Sequence, residues 1–207
     1  MNHGKDPDMA ITLFWSPRTR ASRAVWLLEE VGVPYERVTI DLGDPDSRKN
    51  PDFCRASPMN KVPAMIDGPV AMADSAAMAL YLADRYANGR LAPAIDAPDR
   101  GRFLFWMFFT PGAIEPAMAE KAGGYTPHRT RNGWGDYETM VATLEDGLRT
   151  GPWLLGEHFS AADIMVGATV AFMKQFNLLA ENTILDDYAR RCTDRPAYQK
   201  AQSLEPR

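Results

Sequence analysis

The sequence has few of the residues that build metal sites and disulfides. Among 207 residues it has two cysteines, Cys54 and Cys192, and three histidines, His3, His128 and His158. Neither cysteine lies in a C-x-x-C or Cys/His spacing that would hold a metal, and no Ser-His-Asp arrangement is recognisable. We therefore predict two free thiols, no bound metal, and no catalysis by zinc or by a hydrolase triad.

The sequence also lacks basic clusters and long apolar stretches. Its 23 basic and 27 acidic side chains give a net charge of −4, and no basic run exceeds two residues. Polyanion binding needs a basic patch, so we predict no nucleic-acid partner. No apolar run approaches the roughly 18 residues of a membrane span, and MNHGKDPDMAITLF is unlike a signal peptide. We predict a cytoplasmic protein without a membrane partner; the sequence assigns no role to the extension MNHGKDPD.

The composition, 45% hydrophobic and 24% charged, is that of an ordinary folded protein, and the length fits two small domains. In the first half, β-rich stretches alternate with amphipathic ones, and the polar, breaker-rich LGDPDSRKNP is predicted to be a loop. The order βαβ then ββα describes a small α/β sandwich. The predicted elements are strands at 10–15, 35–40, 63–66 and 70–72 and helices at 20–32 and 75–86.

The second half shows helical patterns only. Residues 88–97 are rich in breakers and are predicted to link a domain at 9–87 to a helical bundle at 98–207. A long helix is predicted from near Pro98, interrupted at Pro111-Gly112. Another helix begins at a capping box in which Ser160 is the N-cap and Asp163 reaches back to it.

Four separated segments carry a resemblance to a known family: LFWSPRTRASRAVWLLEE, NKVPAMIDG, ADSAAMALYL and GEHFSAADIMVG. Together they resemble the cytosolic glutathione S-transferases, of bacterial type, over nearly the whole chain. The resemblance implies a thioredoxin-like βαβ-ββα domain followed by an all-helical domain. It also implies glutathione as co-substrate, a two-fold homodimer and a role in detoxification.

The resemblance assigns glutathione contacts to five residues. The Val62-Pro63 bond would be cis, and the main chain of Val62 would pair with the cysteinyl residue of glutathione as an added strand. Ser75, at a helix start, would bind the γ-glutamyl carboxylate, and Asp74 would pair with the ammonium group. Lys61 would reach the glycyl carboxylate. Three of these assignments have a structural alternative. Pro63 could merely begin an edge strand, and Ser75 could be a plain helix cap. Lys61 could be a solvated side chain.

The thiol of glutathione must ionise to react, because a free thiol has a pKa near 8.5. The loop SPRTRAS at 16–22, called the thiol loop below, brings hydroxyl and guanidinium groups to a helix N-terminus. Alignment with serine-type transferases puts Thr19 at their catalytic hydroxyl, and alignment with cysteine-type enzymes puts Arg20 at their cysteine. We predict Thr19 as the main donor; alternatively Thr19 caps the helix, and Ser16, Arg18, Arg20 or main-chain N–H groups hold the sulfur. Ser22 stands where redox relatives carry the second cysteine, which excludes a dithiol mechanism here.

The electrophile is predicted to be a small apolar or aromatic molecule bound between the domains. We predict a glutathione transferase that stabilises the thiolate and conjugates it to this electrophile. Two alternatives stay open: a glutathione-dependent reductase, lyase or isomerase on the same fold, and a non-catalytic binding or assembly module. The aromatic candidates for the electrophile side are Phe105, Trp106, Phe108, Phe109 and Tyr125.

Overall fold

The structure is a computed structural model that describes residues 10–205. The extension at 1–8, which includes His3, and the domain limits predicted at residues 9 and 207 lie outside the described residues. The first half consists of a sheet and the helices that cover it. Its elements are β1 (Ile11–Trp15), α1 (Ala21–Val31), β2 (Tyr35–Thr39), α2 (Pro51–Ala56), β3 (Ala64–Asp67), β4 (Val70–Ala73) and α3 (Ser75–Tyr86).

The four strands form a mixed sheet in the order β2-β1-β3-β4. Strand β1 pairs with β2 in parallel, with Leu13 opposite Arg37. It pairs with β3 antiparallel, with Leu13 opposite Met65, and β3 pairs with β4 antiparallel. The predicted βαβ-ββα arrangement and fold class are thereby confirmed.

Helix α2 is an element that the sequence patterns did not predict. Asn50 caps it, with its Oδ1 accepting from the Phe53 N–H at 3.0 Å, and Pro51 occupies its first turn, where a missing N–H costs nothing. Phe53 is fully buried in a small core with Phe14 and Ile40, on the face of the sheet away from α1. A polar sequence is folded into a helix here because a single aromatic residue anchors it.

The second half is helical. Its elements are α4 (Arg100–Phe109), a π-helical turn (Thr110–Ile114), α5 (Glu115–Ala122), α6 (Tyr137–Gly147), α7 (Ala161–Gln175), α8 (Thr183–Thr193) and α9 (Pro196–Ser203). The predicted interruption at Pro111-Gly112 is confirmed as the π-helical turn, because Pro111 has no N–H for the regular helical bond. Within residues 10–205, none of the helices combines the length and the apolar character needed to cross a membrane.

The capping box of α7 is confirmed and is part of a buried network. Asp163 is fully buried, and its carboxylate accepts from the N–H groups of Leu154 and Ser160, at 3.0 and 2.9 Å. It also accepts from the hydroxyls of Ser160 and Tyr188, each at 3.0 Å. Burial raises the pKa of Asp163 to about 6, against the hydrogen bonds, which act to lower it.

The two halves share one continuous apolar core, in which α1 packs on α9 and α7, and α3 packs on α4 and α7. Ion pairs cross the boundary beside this core. Arg195 of the second half binds Glu30 of α1 through two nitrogens, at 2.5 and 2.8 Å. Arg100 of α4 makes a two-pronged contact with Asp84 of α3, both at 2.7 Å. The helical half therefore holds α1 and the loop that precedes it in a fixed place.

Candidate functional site

Three connections meet at one edge of the sheet. Ala64, the first residue of β3, pairs with Phe14 near the end of β1 and with Ala73 at the end of β4. The loop after β1, the turn before β3 and the start of α3 after β4 therefore lie side by side. The topology brings the predicted thiol loop and the predicted glutathione contacts together.

The turn before β3 presents main-chain groups that have no internal partner. The Val62-Pro63 bond is cis, as expected. Within residues 10–205, neither the N–H nor the C=O of Val62 makes a hydrogen bond. A donor and an acceptor thus stand at the end of β3, in the arrangement that an added extended peptide would pair with.

The start of α3 is similarly open. Asp74 is its N-cap, at φ 76° and ψ 128°, and its Oδ1 accepts from the Ala76 N–H at 2.8 Å. Ser75 is mostly buried, yet its hydroxyl has no hydrogen-bond partner in the described part of the chain. A hydroxyl, the free N–H groups of a first turn and the helix dipole together favour an anion at this point.

Lys61 and Asn60 precede the cis bond and differ in what their side chains do. The Lys61 main chain is fixed on both sides by Ser57, whose hydroxyl lies 2.8 Å from the N–H and from the C=O of Lys61. Its exposed ammonium group makes no ion pair among the described residues. Asn60, at φ 54°, is bound to Arg48 through its Oδ1 at 2.7 Å and its Nδ2 at 2.8 Å. Lys61 is available to a ligand, whereas Asn60 holds the turn.

In the thiol loop, the Thr19 side chain caps the N-terminus of α1, which is the alternative to donating to the sulfur. Its hydroxyl donates to the Ser16 carbonyl at 2.7 Å and accepts from the N–H of Ala21, the first residue of α1, at 3.1 Å. The one proton of this hydroxyl is already used, so donation to a sulfur would require release of the Ser16 carbonyl. The hydroxyl of Ser16 itself has no partner within residues 10–205.

The arginines of this region are paired with a carboxylate from the helical half. Glu115, the first residue of α5, lies with its Oε1 2.9 Å from Nε of Arg20 and 3.0 Å from Nη2 of Arg23. Arg20 is 62% exposed and Arg23 only 8%. Burial lowers the pKa of Arg23, while Glu115 and, more weakly, Asp74 act in the opposite direction. The sequence patterns did not reveal Glu115, because it is 92 residues away from Arg23.

A second carboxylate from the helical half binds two further groups of the loop. Arg18 has a left-handed backbone, φ 56°, and its N–H donates to Oε2 of Glu205 at 3.1 Å. The hydroxyl of Ser22 donates to Oε1 of the same carboxylate. No sequence signal pointed to Glu205, which lies 183 residues from Ser22.

The aromatic candidates separate by exposure. Trp106 is buried against the rings of Phe105 and Phe109, with centroids 4.9 and 5.1 Å away, and belongs to the core. Phe105 and Phe108 are about half exposed and Tyr125 is largely exposed, so these side chains have surface available for a ligand or a partner.

The cysteines lie apart from the loop, and both are free, as predicted: Cys54 is exposed and Cys192 is buried. Burial raises the pKa of the Cys192 thiol. Within residues 10–205, no group of three or more His, Cys, Asp or Glu side chains is arranged to hold a metal ion.

Comparison with known protein families gives two matches along the chain. The family described as "Glutathione S-transferase, N-terminal domain" matches residues 16–85. The family described as "Glutathione S-transferase, C-terminal domain" matches residues 115–192.

Among individual proteins, the disulfide-bond oxidoreductase YfcG of Escherichia coli is 28% identical over 205 residues, covering 92% of this chain and 94% of the relative. Glutathione S-transferase 3 of Schizosaccharomyces pombe is 25% identical, over 90% of this chain and 84% of the relative. A crystal structure of a glutathione transferase from Methylococcus capsulatus superimposes with a TM-score of 0.78 at 24% identity, covering 95% and 98%. One from Pseudomonas putida, with a glutathione disulfide bound in each subunit, gives 0.77 at 23% identity, covering 98% and 94%. The two structural likenesses establish the fold.

Proposed function

Since the chain belongs to the glutathione S-transferase family, we propose that it is a glutathione transferase: it binds glutathione at the edge of the sheet and directs the thiolate at a carbon electrophile. The observation that carries the proposal is the set of unpaired polar groups around the cis Val62-Pro63 bond. Buried polar groups in folded proteins are normally hydrogen-bonded, either to the protein or to ordered water. Several unpaired groups at one edge therefore indicate a ligand that pairs with them.

Glutathione matches these groups along its length. An extended cysteinyl residue would exchange hydrogen bonds with the main chain of Val62. The γ-glutamyl carboxylate would accept from Ser75, and the free oxygen of Asp74 would receive the ammonium group. The ammonium of Lys61 would meet the glycyl carboxylate. This orientation directs the sulfur towards the thiol loop.

We propose that Ser16 and the main chain of the loop share the stabilisation of the sulfur with the predicted donor, Thr19. The Ser16 hydroxyl supports this role because it has no internal partner, whereas Thr19 must exchange the Ser16 carbonyl for the sulfur. Arg20 would add a positive charge despite its pairing with Glu115, and Arg18 would contribute at the rim. The thiolate then attacks the electrophilic carbon, the C–S bond forms, and the leaving group departs with its bonding electrons.

The proposed electrophile is a small apolar or aromatic molecule, for which the exposed Tyr125 and the partly buried Phe109 are candidate contacts on the helical half. The proposed assembly is a two-fold homodimer, with the sheet-containing half of one subunit against the helical half of the other. The proposal is supported by exposed apolar side chains on both halves. Met59 lies just before the turn that contains Lys61 and Val62, and Phe105 and Phe108 lie one turn apart on α4. The proposed role is detoxification of electrophiles in the cytoplasm, and the proposed domain limits remain 9–87 and 98–207.

Calorimetric titration with glutathione tests the binding step, followed by product analysis with a general aryl halide. We expect saturable heat and a thioether conjugate. Two variants then locate the sulfur: Ser16→Ala and Thr19→Val should each raise the pKa of the bound glutathione thiol. This pKa is measured from the ultraviolet absorbance of the thiolate as a function of pH. No heat at millimolar glutathione would overturn the proposal in favour of a non-catalytic module. Unchanged thiol pKa in both variants would transfer the role to the arginines and main-chain N–H groups.

A second candidate function is glutathione-dependent disulfide reduction, favoured by the 28% identity to a disulfide-bond oxidoreductase. The thiol loop has no cysteine, so both electrons would have to come from two glutathione molecules. The first thiolate would attack a substrate disulfide, forming a mixed disulfide and releasing one thiolate. A second glutathione thiolate would attack the glutathione sulfur of this mixed disulfide, releasing the other substrate thiolate and forming oxidised glutathione. Oxidised glutathione in place of a conjugate would identify this reaction.

A further inference from the structure

The last described residues of the chain close onto the thiol loop. Beyond α9, the Leu204 carbonyl accepts from Nη1 of Arg37 at 3.0 Å, and the Arg37 guanidinium lies over the ring of Trp15, 4.5 Å from its centroid. The next residue, Glu205, binds the Arg18 N–H and the Ser22 hydroxyl. The tail is therefore fixed both to the sheet and to the loop.

The Glu205 carboxylate uses two groups that a thiolate would also use. A main-chain N–H and a hydroxyl at a helix N-terminus are the donors that stabilise a sulfur anion. While Glu205 accepts from Arg18 and Ser22, neither proton is available to the sulfur. A negative charge held on the loop that the sulfur would approach also disfavours a second negative charge there. Both effects hold the bound thiol in its protonated form.

Other charges surround the same loop and set a background that Glu205 modifies. Cations predominate on the loop and the first turn of α1, and Glu115 offsets part of their charge. The charged groups that lie on this region or contact it are Arg18 and Arg20 of the loop, Arg23 of α1, Arg37 of β2, Asp74 before α3 and Glu115 of α5.

Resting on the proposed function, we propose that Glu205 is a positioning residue that acts through Arg18 and Ser22 to set the ionisation of the bound glutathione thiol. With the carboxylate in place the thiol is more protonated. Release of the tail frees an N–H and a hydroxyl on the loop and removes the opposing charge, so the thiolate becomes more abundant. Activity at neutral pH therefore depends on the C-terminal residues.

The test compares Glu205→Gln, which removes the charge, with the matched control Glu181→Gln. Glu181 is an exposed carboxylate between α7 and α8 with no ion pair within residues 10–205. We expect Glu205→Gln to lower the pKa of bound glutathione by roughly half a unit to one unit, and the control to leave it unchanged. Binding of S-methylglutathione, which has no thiol proton, should change less than twofold in either variant. A double-mutant cycle with Ser22→Ala should give non-additive pKa changes.

The outcomes separate the two proposals. Absence of heat with both ligands would overturn the proposed function and this inference with it. Normal binding with an unchanged thiol pKa in Glu205→Gln would overturn the inference alone. Amide exchange adds a measurement that needs no ligand: the Arg18 N–H should exchange faster in Glu205→Ala than in the parent, and equal rates would show that the contact does not hold the loop.

Discussion

The two sides of the candidate site differ in how their polar groups are satisfied. On the docking edge, defined as Lys61 to Pro63 with Asp74 and Ser75, several donors and acceptors have no partner within residues 10–205. In the thiol loop, by contrast, Thr19 binds Ser16, the arginines bind Glu115, and Ser22 binds Glu205. One side is open to a ligand, and the other is held by the protein itself.

This difference distinguishes the residues that are available for binding from those that stabilise the fold. A polar group with internal partners contributes to stability, and its loss leaves those partners unsatisfied. A polar group without them contributes little to folding and is free to bind. In the thiol loop, the paired groups must therefore exchange contacts before they stabilise a sulfur, and the Ser16 hydroxyl, which has no partner within residues 10–205, is an exception; the docking edge needs no rearrangement. Five predictions test this distinction.

Asp163, whose buried carboxylate accepts four hydrogen bonds, is the reference for a residue that stabilises the fold. Asp163→Ala leaves the buried N–H groups of Leu154 and Ser160 and the Ser160 hydroxyl without their acceptor, so we expect a loss of about 3 kcal/mol or more in the free energy of unfolding at pH 7. Urea denaturation measures it. The control Asp187→Ala, in an exposed pair with Arg190, should change stability by less than about 1 kcal/mol. Equal losses in both variants would contradict the distinction.

Asp163 also predicts a pH dependence. Its pKa is raised from 3.8 to about 6 in the folded chain, so the folded state holds this proton to a higher pH than the unfolded state. The carboxyl therefore contributes stability at low pH that is lost as the pH rises from about 4 to about 6. The stability difference between the parent and Asp163→Ala should accordingly be larger at about pH 4.5 than at pH 7, and the opposite trend would contradict the raised pKa.

Arg23 tests the saturated side of the site itself. Arg23→Met removes a buried cation and leaves Glu115 with Arg20 alone, so we expect a loss of about 2 kcal/mol in unfolding free energy. Arg55→Met is the control, because Arg55 pairs with Asp52 on the surface and should contribute almost nothing. If Arg23→Met were as stable as the control, the thiol loop would not depend on the helical half.

Ser75 tests the open side. Ser75→Ala removes a hydroxyl from the proposed γ-glutamyl carboxylate, and we expect glutathione to bind about tenfold more weakly, with little change in stability because Asp74 supplies the cap. Thr183→Ala is matched to it: Thr183 is the first residue of α8 after the cap Asn182, away from the docking edge. A large loss of stability with unchanged affinity would show that Ser75 serves only the fold.

The smallest effect is expected at Lys61. Lys61→Met removes an exposed charge opposite the glycyl carboxylate, so glutathione affinity should fall about threefold at low salt and less at high salt. Lys49→Met provides the comparison, since Lys49 is also exposed but pairs with Asp46 and should leave affinity unchanged. Titrations at two ionic strengths measure both. A salt-independent loss would assign Lys61 a packing role instead.

Much of the fold follows from local sequence. The alternation of strands and helices, the interruption at Pro111 and the capping box at Ser160 were all predicted and confirmed, because each depends on residues within a few positions of one another. Helix α2 was missed although Asn50 and Pro51 form a recognisable helix start. Its one large buried side chain, Phe53, is too little apolar character for a periodic pattern.

The candidate site divides in the same way. The helix start at Asp74 and Ser75 and the loop after β1 were predicted from short motifs of adjacent residues, whereas the cis bond before Pro63 was expected from the family resemblance. For Thr19, the sequence left two alternatives open, and the structure has the one in which it caps α1. That Glu115 binds Arg20 and Arg23 and that Glu205 binds the loop followed only from the tertiary structure. Such partners are chosen by competition among all donors and acceptors that folding brings within about 3 Å, and residues nearly the whole chain apart leave no local signal of that choice.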